Sequence, residues 1–153
     1  MPEQRRTDID DVAMIREIVA NQFRSLAWTR DQDPDWEGFA RGFAPEARLF
    51  PAARPVRPQT VDQFVDRMKG LRAEGRLASF QEFPLGCVVR AFGNVAVAFA
   101  ACEMLENGST VTRDLSAIVL VRDAGHWRIV AQAWDVETES NRIPADLAAS
   151  ATC

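Results

Sequence analysis

Four long strand-forming stretches follow one another in the second half of the chain, and they limit its possible folds more than any other feature. They are rich in β-branched and small apolar residues, and they cover residues 85–92, 95–105, 110–122 and 126–137. Short turn signals separate them: Gly93-Asn94, Asn107-Gly108 and Asp123-Ala124-Gly125. Connections this short join antiparallel neighbours, so the pattern predicts an antiparallel meander of four strands.

Three helical patterns precede the meander. The first repeats apolar residues every three or four positions over residues 8–29. The second begins at Asp33-Pro34, an N-cap residue followed by a proline suited to the first helical position. The third begins at Thr60, and Gln63 stands where a capping box requires it.

A short strand candidate, residues 46–50, stands between the second and third helices, and a proline-rich loop, residues 51–59, follows it. The order α-α-β-α-β-β-β-β predicts an α+β fold. Three N-terminal helices would cover one face of a curved antiparallel sheet of four to five strands. A curved sheet beneath helices encloses a cavity, which is the usual form of a small-molecule site.

Length and charge bound the remaining possibilities. The chain has 153 residues, which suits a single domain over residues 1–143 with a loose tail at 144–153. Its formal net charge of −4 disfavours nucleic acid and anionic membrane as partners. The N-terminus lacks a signal-peptide pattern, and the longest apolar run, residues 95–102, is too short to cross a bilayer. A cytoplasmic protein is therefore expected.

Residue counts exclude several kinds of chemistry. The chain has 1 His, no Tyr and 3 Cys, the last widely spaced, so we expect neither a metal site nor a disulfide framework. It also lacks a glycine-rich phosphate loop, and no cofactor is implied.

Two stretches match a known superfamily. Residues 28–50 place Trp28-Thr29-Arg30-Asp31 before Trp36, Phe39 and Phe43, and then continue as an acid–alanine strand entry. Gly125-His126-Trp127-Arg128-Ile129-Val130 begins the last strand. Over about residues 8–140 the chain resembles the nuclear transport factor 2-like superfamily. Its cystatin-like α+β cones include ketosteroid isomerases, scytalone dehydratase, limonene epoxide hydrolase and SnoaL-like polyketide cyclases.

The resemblance implies a fold and a pocket more than a reaction, because this superfamily uses one cone for unrelated functions. Ketosteroid isomerases have a tyrosine donor and an aspartate base just after the first strand, where this chain has Phe50-Pro51 and no tyrosine. Scytalone dehydratase has pocket histidines, whereas His126 lies in a turn. The resemblance therefore favours a SnoaL-like type.

The turns also predict which residues face the pocket. If Asn107-Gly108 and Ala124-Gly125 are two-residue turns, Asp114 lies opposite both Ala101 and Asp135. The pocket face then collects Val97, Phe99, Ala101, Glu103, Thr112, Asp114, Ser116, Ile118, Trp127, Ile129, Ala131, Ala133 and Asp135. The opposite face is expected to form a homodimer interface, and it collects Ala96, Ala98, Ala100, Cys102, Leu115, Ala117, Val119, Val121, Arg128, Val130, Gln132 and Trp134. A three-residue loop at 123–125 would instead flip the last strand.

Asp114 and Asp135 are the candidate catalytic residues, because two opposed and shielded carboxylates repel, so that one of them keeps its proton near neutral pH. The alternative is that both are solvated or paired with nearby arginines. The candidate ligand-binding residues are Trp28, Phe99, Ser116 and Trp127, although tryptophans like these are also common core residues. The arginines at 54, 57, 67, 72 and 76 either draw an acidic ligand to the pocket mouth or form a solvated mixture of charges.

Two functions fit these residues. The first is a small-molecule protein of SnoaL-like type that carries out general acid/base chemistry on a small apolar or aromatic compound, as a cyclase, isomerase, dehydratase or hydrolase. The second is a non-catalytic ligand-binding or dimerisation module on the same fold. The sequence does not decide whether the chain is an enzyme.

Overall fold

The helices and strands follow the predicted order, with one additional short helix at the C-terminus. The computed structural model describes residues 2–149 and 153, with side chains from residue 9 onward. The elements are α1 (Pro2–Ser25), α2 (Trp36–Arg41), β1 (Phe43–Phe50), α3 (Val61–Ala73), β2 (Phe80–Phe92), β3 (Val95–Glu106), β4 (Thr110–Asp123), β5 (His126–Val136) and α4 (Ala145–Ala148). Among the described residues, no helix is long and apolar enough to span a membrane.

The five strands form one sheet in the order β1-β5-β4-β3-β2. Strands β2 to β5 are antiparallel neighbours, as the tight turns predicted. Strand β1 pairs with β5 in parallel, so the sheet is not antiparallel throughout as expected. The parallel pairing is possible because the chain leaves β1 through α3 and begins the meander at the opposite edge of the sheet.

Helices α1, α2 and α3 cover the inner face of the sheet. The apolar stripe of α1 buries Ile15, Val19 and Phe23 in the core, and Leu26, just after the helix, is buried with them. The predicted capping box of α3 is present, with reciprocal hydrogen bonds between Thr60 and Gln63. Helix α2 begins later than predicted, because Asp35 rather than Asp33 accepts the capping hydrogen bond from the Gly38 amide.

The register between β3 and β4 differs by one residue from the prediction. Glu106 pairs with Thr110, so the hairpin loop contains three residues, with Asn107 and Gly108 at φ angles of 53° and 70°. Asp114 therefore lies opposite Cys102, and Ser116 lies opposite Ala100. Because a shift of one residue reverses a strand's faces, the inner face of β3 carries Ala96, Ala98, Ala100 and Cys102.

A β-bulge in β5 overturns the predicted pairing of the two aspartates. The turn at Ala124-Gly125 contains two residues, as predicted, and Asp123 pairs with His126. Farther along, Leu120 pairs with Ile129 and Val119 pairs with Ala131, which leaves Val130 as an extra residue. Beyond the bulge, the inner face carries Gln132 and Trp134. Asp114 lies opposite Val136, and Asp135 lies opposite Leu115 on the outer face.

The C-terminal tail is tied to the sheet, in contrast to the expected loose segment. Helix α4 packs against β2 and β3, and Cys153 forms a disulfide with Cys87 of β2. Cys102 remains a buried free thiol. The expectation of no disulfide was therefore wrong, because sequence spacing does not reveal that the tail returns to β2. Residues 150–152 of this tail lie outside the described residues.

Removal of the disulfide should lower the stability of the protein. The pair Cys87→Ser and Cys153→Ser releases a cross-link between residues 66 positions apart, and we expect the free energy of unfolding to fall by about 3 kcal/mol. Urea denaturation measures this change. Reduction of the unaltered protein should have the same effect, whereas it should leave the double variant unchanged; equal stability of the oxidised and reduced protein would contradict the prediction.

Candidate active site

A cavity of about 190 Å³ lies between the inner face of the sheet and helices α1, α2 and α3. Its walls are mostly apolar and are formed by Phe23, Leu26, Phe39, Phe43, Leu49, Phe64, Met68, Leu71, Leu77, Phe80, Met104 and Trp134. Its polar lining consists of Gln22, Arg67, Glu82, Glu106, Asp114, Ser116 and Gln132. Sites for drug-sized ligands usually occupy about 300–1,000 Å³, so this cavity suits a smaller molecule.

Asp114 is a buried carboxylic acid on the cavity wall. It lies on the inner face of β4, its residue is 8% exposed, and its side chain lines the cavity. Within the described part of the chain, its carboxylate has neither an ion pair nor a side-chain hydrogen bond. Burial therefore raises the pKa of Asp114 from 3.8 to about 7. At neutral pH this group can both accept and release a proton.

A second carboxylic acid, Glu82 of β2, lies near Asp114. Burial and the negative charge of Asp114 raise the pKa of Glu82 well above its ordinary value. Because two such groups cannot both ionise easily, Glu82 keeps its proton while Asp114 titrates. The site thus combines a neutral acid with a carboxylate that ionises near pH 7.

Cys102 lies between the two acids, on the strand that separates them. It is opposite Asp114 in the β3–β4 register, and its Sγ donates to Oε2 of Glu82 at 3.6 Å. Burial and the charges of Glu82 and Asp114 raise the pKa of the Cys102 thiol, so it stays neutral and is not an activated nucleophile. Among the described residues, no group of three His, Cys, Asp or Glu side chains is placed to hold a metal ion.

Three neutral polar side chains complete the cavity wall. Gln22 of α1 and Gln132 of β5 hydrogen-bond to each other reciprocally at 2.6 and 2.9 Å. Nε2 of Gln132 also donates to Oγ of Ser116 at 3.4 Å. These contacts leave the Ser116 hydroxyl hydrogen without an acceptor in the described structure, so it can donate to a ligand.

The structure brings two of the six sequence-predicted site residues to the cavity, namely Asp114 and Ser116. Asp135 is exposed on the outer face, and Phe99 is 40% exposed on the same face, because the predicted strand pairings were wrong. Trp28 is fully buried in the core, where its Nε1 donates to the Leu77 carbonyl at 3.0 Å. Trp127 is buried elsewhere on the sheet and donates to Asp11 at 3.0 Å.

Sequence reasoning missed the other polar residues of the cavity. Glu82 precedes Pro84, and because proline is unusual inside a strand, the predicted strand left out the first five residues of β2. Gln132 and Trp134 were assigned to the opposite face, because nothing in the sequence marked the bulge at Val130. Gln22 did leave a signal, since it stands next to Phe23 within the apolar stripe of α1.

Comparison with known proteins gives a structural likeness without a sequence match. No family model matches the chain, and no curated protein matches it. One similar solved structure is an NTF2-like protein of unknown function from Pseudomonas putida KT2440, with a TM-score of 0.65 and 16% identity. The match covers 88% of this chain and 94% of that one.

Two further solved structures carry more specific names. A putative scytalone dehydratase from Novosphingobium aromaticivorans has a TM-score of 0.67 at 9% identity, and the match covers 94% of this chain and 95% of that one. A LinA-type3 hexachlorocyclohexane dehydrochlorinase from Novosphingobium barchaimii has a TM-score of 0.69 at 11% identity, with coverages of 85% and 88%. The likeness extends over nearly the whole of each chain, and it confirms the predicted α+β cone.

Proposed function

We propose a function from the premise that this chain has the nuclear transport factor 2-like cone fold. The protein binds a small, mostly apolar molecule in its cavity and acts on it by general acid/base chemistry, in the manner of a SnoaL-like enzyme. Asp114 is the base. Asp135, the second acid expected from the sequence, has no part in this proposal because it lies outside the cavity.

A single observation carries the proposal, namely an unpartnered carboxyl group on the wall of an apolar cavity. An aspartate that stabilises a fold normally has a cationic or hydrogen-bonding partner, and burial without one is costly. Asp114 has no such partner among the described residues, and its pKa of about 7 is close to the optimum for proton transfer at neutral pH. Both features favour catalysis over a purely structural role.

The geometry suits removal of a proton from a carbon beside a carbonyl group. The C–H bond breaks, the proton passes to Asp114, and the electron pair moves onto the carbonyl oxygen as an enolate. The Ser116 hydroxyl and the protonated Glu82 can donate hydrogen bonds to that oxygen. Return of the proton to another carbon gives an isomerisation, and departure of a neighbouring group gives an elimination.

The names of two proteins with this fold agree with such a reaction. A dehydratase removes water and a dehydrochlorinase removes hydrogen chloride, and each of these eliminations takes a proton from the substrate. At 9% and 11% identity, the likeness supports a proposal about reaction class and none about substrate.

Proton exchange tests the proposal without knowledge of the natural substrate. The probe is benzalacetone, an apolar α,β-unsaturated ketone with exchangeable methyl protons beside its carbonyl, in deuterated buffer. Deuterium uptake that depends on Asp114 supports acid/base catalysis. Uptake that is equal in the unaltered protein and in Asp114→Asn refutes it and leaves the non-catalytic binding module.

A homodimer belongs to the same proposal, formed through the outer face of the sheet, opposite the cavity. On β4 this face carries the residues expected from the sequence, Val119 among them, whereas on β3 it carries Val97 and Phe99 in place of the expected alanines. Val97 and Val119 are directly paired on this face and are 43% and 42% exposed, and Phe99 beside them is 40% exposed. An exposed apolar patch on a sheet is typical of an interaction surface. The cytoplasmic location stays a prediction, although the disulfide at Cys87 is of a kind that persists in oxidising compartments.

Sedimentation velocity tests the dimer. The unaltered protein should sediment as a dimer at micromolar concentration, and Val119→Glu should sediment as a monomer, because it places paired charges at the centre of the interface. Met14→Glu, at a 46% exposed position on α1, is the matched control and should remain dimeric. A monomeric unaltered protein would contradict the prediction.

A further inference from the structure

We infer that the molecule bound in the cavity carries a carboxylate or similar anionic group on its apolar body, and that Arg67 of α3 binds this group. The inference rests on the proposed function, because it names the substrate class for the same cavity. Arg67 acts here as a specificity-determining residue.

Arg67 stands at the opening of the cavity. Its side chain lines the cavity, although the residue as a whole is exposed, so the guanidinium lies where the cavity meets solvent. Its Cζ is 5.3 Å from the centroid of the Phe64 ring, and this contact orients the guanidinium against the apolar wall. The partial burial there lowers the pKa of Arg67 from its ordinary value, although the group stays charged at neutral pH.

The guanidinium of Arg67 has no anionic partner in the described part of the chain. Arg72, five residues farther along the same helix, has an ion pair with Asp33 at 2.5 Å. Arg67 has none, even though Glu82, Glu106 and Asp114 line the same cavity. Its forked N–H donors are therefore available, and their geometry matches the two oxygens of a carboxylate.

The separation of charges within the cavity orients such a ligand. Asp114 and Glu82 lie on the sheet, whereas Arg67 lies on the helix that covers it. A ligand with its anionic group at Arg67 places its apolar body along Phe64 and Trp134, whose rings meet edge to face at 5.8 Å between centroids. This orientation keeps the ligand's charge away from the two acids and directs its carbon skeleton toward Asp114.

Two nearly isosteric probes test the inference by calorimetric binding. Cinnamate carries a carboxylate on a styryl body, and benzalacetone carries a neutral methyl ketone on the same body. At about pH 6, below the pKa of Asp114, Arg67→Gln should weaken cinnamate binding about 10- to 100-fold. It should change benzalacetone binding by less than about twofold.

Lys69→Gln is the matched control, because Lys69 is on the same helix and contacts Trp36 rather than the cavity. It removes the same charge and should leave cinnamate binding unchanged. Equal affinity of the unaltered protein and Arg67→Gln for cinnamate would overturn the inference, as would equal losses in Arg67→Gln and Lys69→Gln.

The outcomes separate this inference from the proposed function. If cinnamate binding depends on Arg67 while proton exchange does not depend on Asp114, the substrate class stands and the acid/base role fails. If proton exchange depends on Asp114 while the affinity for cinnamate does not depend on Arg67, the acid/base role stands and the inference fails.

Discussion

Asp114→Asn should exchange the methyl protons of benzalacetone about 100- to 10,000-fold more slowly than the unaltered protein. An amide is nearly the same size as a carboxylate but cannot accept the proton, so the variant keeps the cavity and loses the base. Mass spectrometry of the deuterated ketone measures the rate after the uncatalysed rate is subtracted.

The pH profile of exchange distinguishes a base from a residue that merely shapes the cavity. Asp114 must be ionised to accept a proton, so the rate should rise with pH and reach half of its plateau at about pH 7. Asp135→Asn removes an exposed carboxylate from the outer face of the same sheet and should keep both the rate and the profile. A flat profile, or an equal loss in both variants, would contradict the role of Asp114.

The titration of Asp114 alone should lower the free energy of unfolding by about 4 kcal/mol as the pH rises from about 4 to about 8. Below about pH 3, Asp114 is protonated in both the folded and the unfolded chain and does not change the free energy of unfolding. Between about pH 4 and pH 7, the unfolded chain ionises while the folded chain keeps the proton. The destabilisation by the buried Asp114 is therefore absent at low pH, grows as the pH rises from about 4 to about 7, and is complete above that.

Asp114→Asn should remove this part of the pH dependence and should unfold at a higher urea concentration than the unaltered protein at pH 8. Glu82 adds a dependence of the same sign, because its pKa is also raised, so the variant keeps a smaller slope. Glu106 and Arg67 also line the cavity, and both remain in place in Asp114→Asn and in the unaltered protein. Asp135→Asn is the control and should match the unaltered protein; a variant that is less stable than the unaltered protein at pH 8 would show that Asp114 is held by a stabilising contact.

The order of elements was predictable because each signal is local. The capping box at Thr60 and Gln63, and the two-residue turn at Ala124-Gly125, act within a few residues of themselves, and the structure contains both. The pairing of strands depends on a single residue in a loop or a bulge. The third loop residue after Glu106 and the extra Val130 each shift a strand pairing by one residue, so several side chains lie on the opposite face of the sheet from the predicted one. Tertiary packing rather than local sequence selects such loops and bulges.

The candidate site was partly predictable for the same reason. Asp114 and Ser116 are two positions apart on one strand, so they share a face in any register. In the structure that face lines the cavity. Glu82 joins them from a strand 32 residues away along the chain, and Gln22 joins Gln132 across 110 residues. Contacts between residues so far apart in the sequence depend on the whole fold, and no local sequence pattern predicts them.

The central claim is that Asp114 lies unpartnered in an apolar cavity and holds its proton close to neutral pH. Carbon-13 NMR titration of the aspartate carboxyl carbons, with Asp114→Asn to assign the signal, measures this property directly. We predict that the Asp114 signal titrates with a midpoint at about pH 7. A midpoint near 4, the ordinary value for an aspartate, would contradict the account.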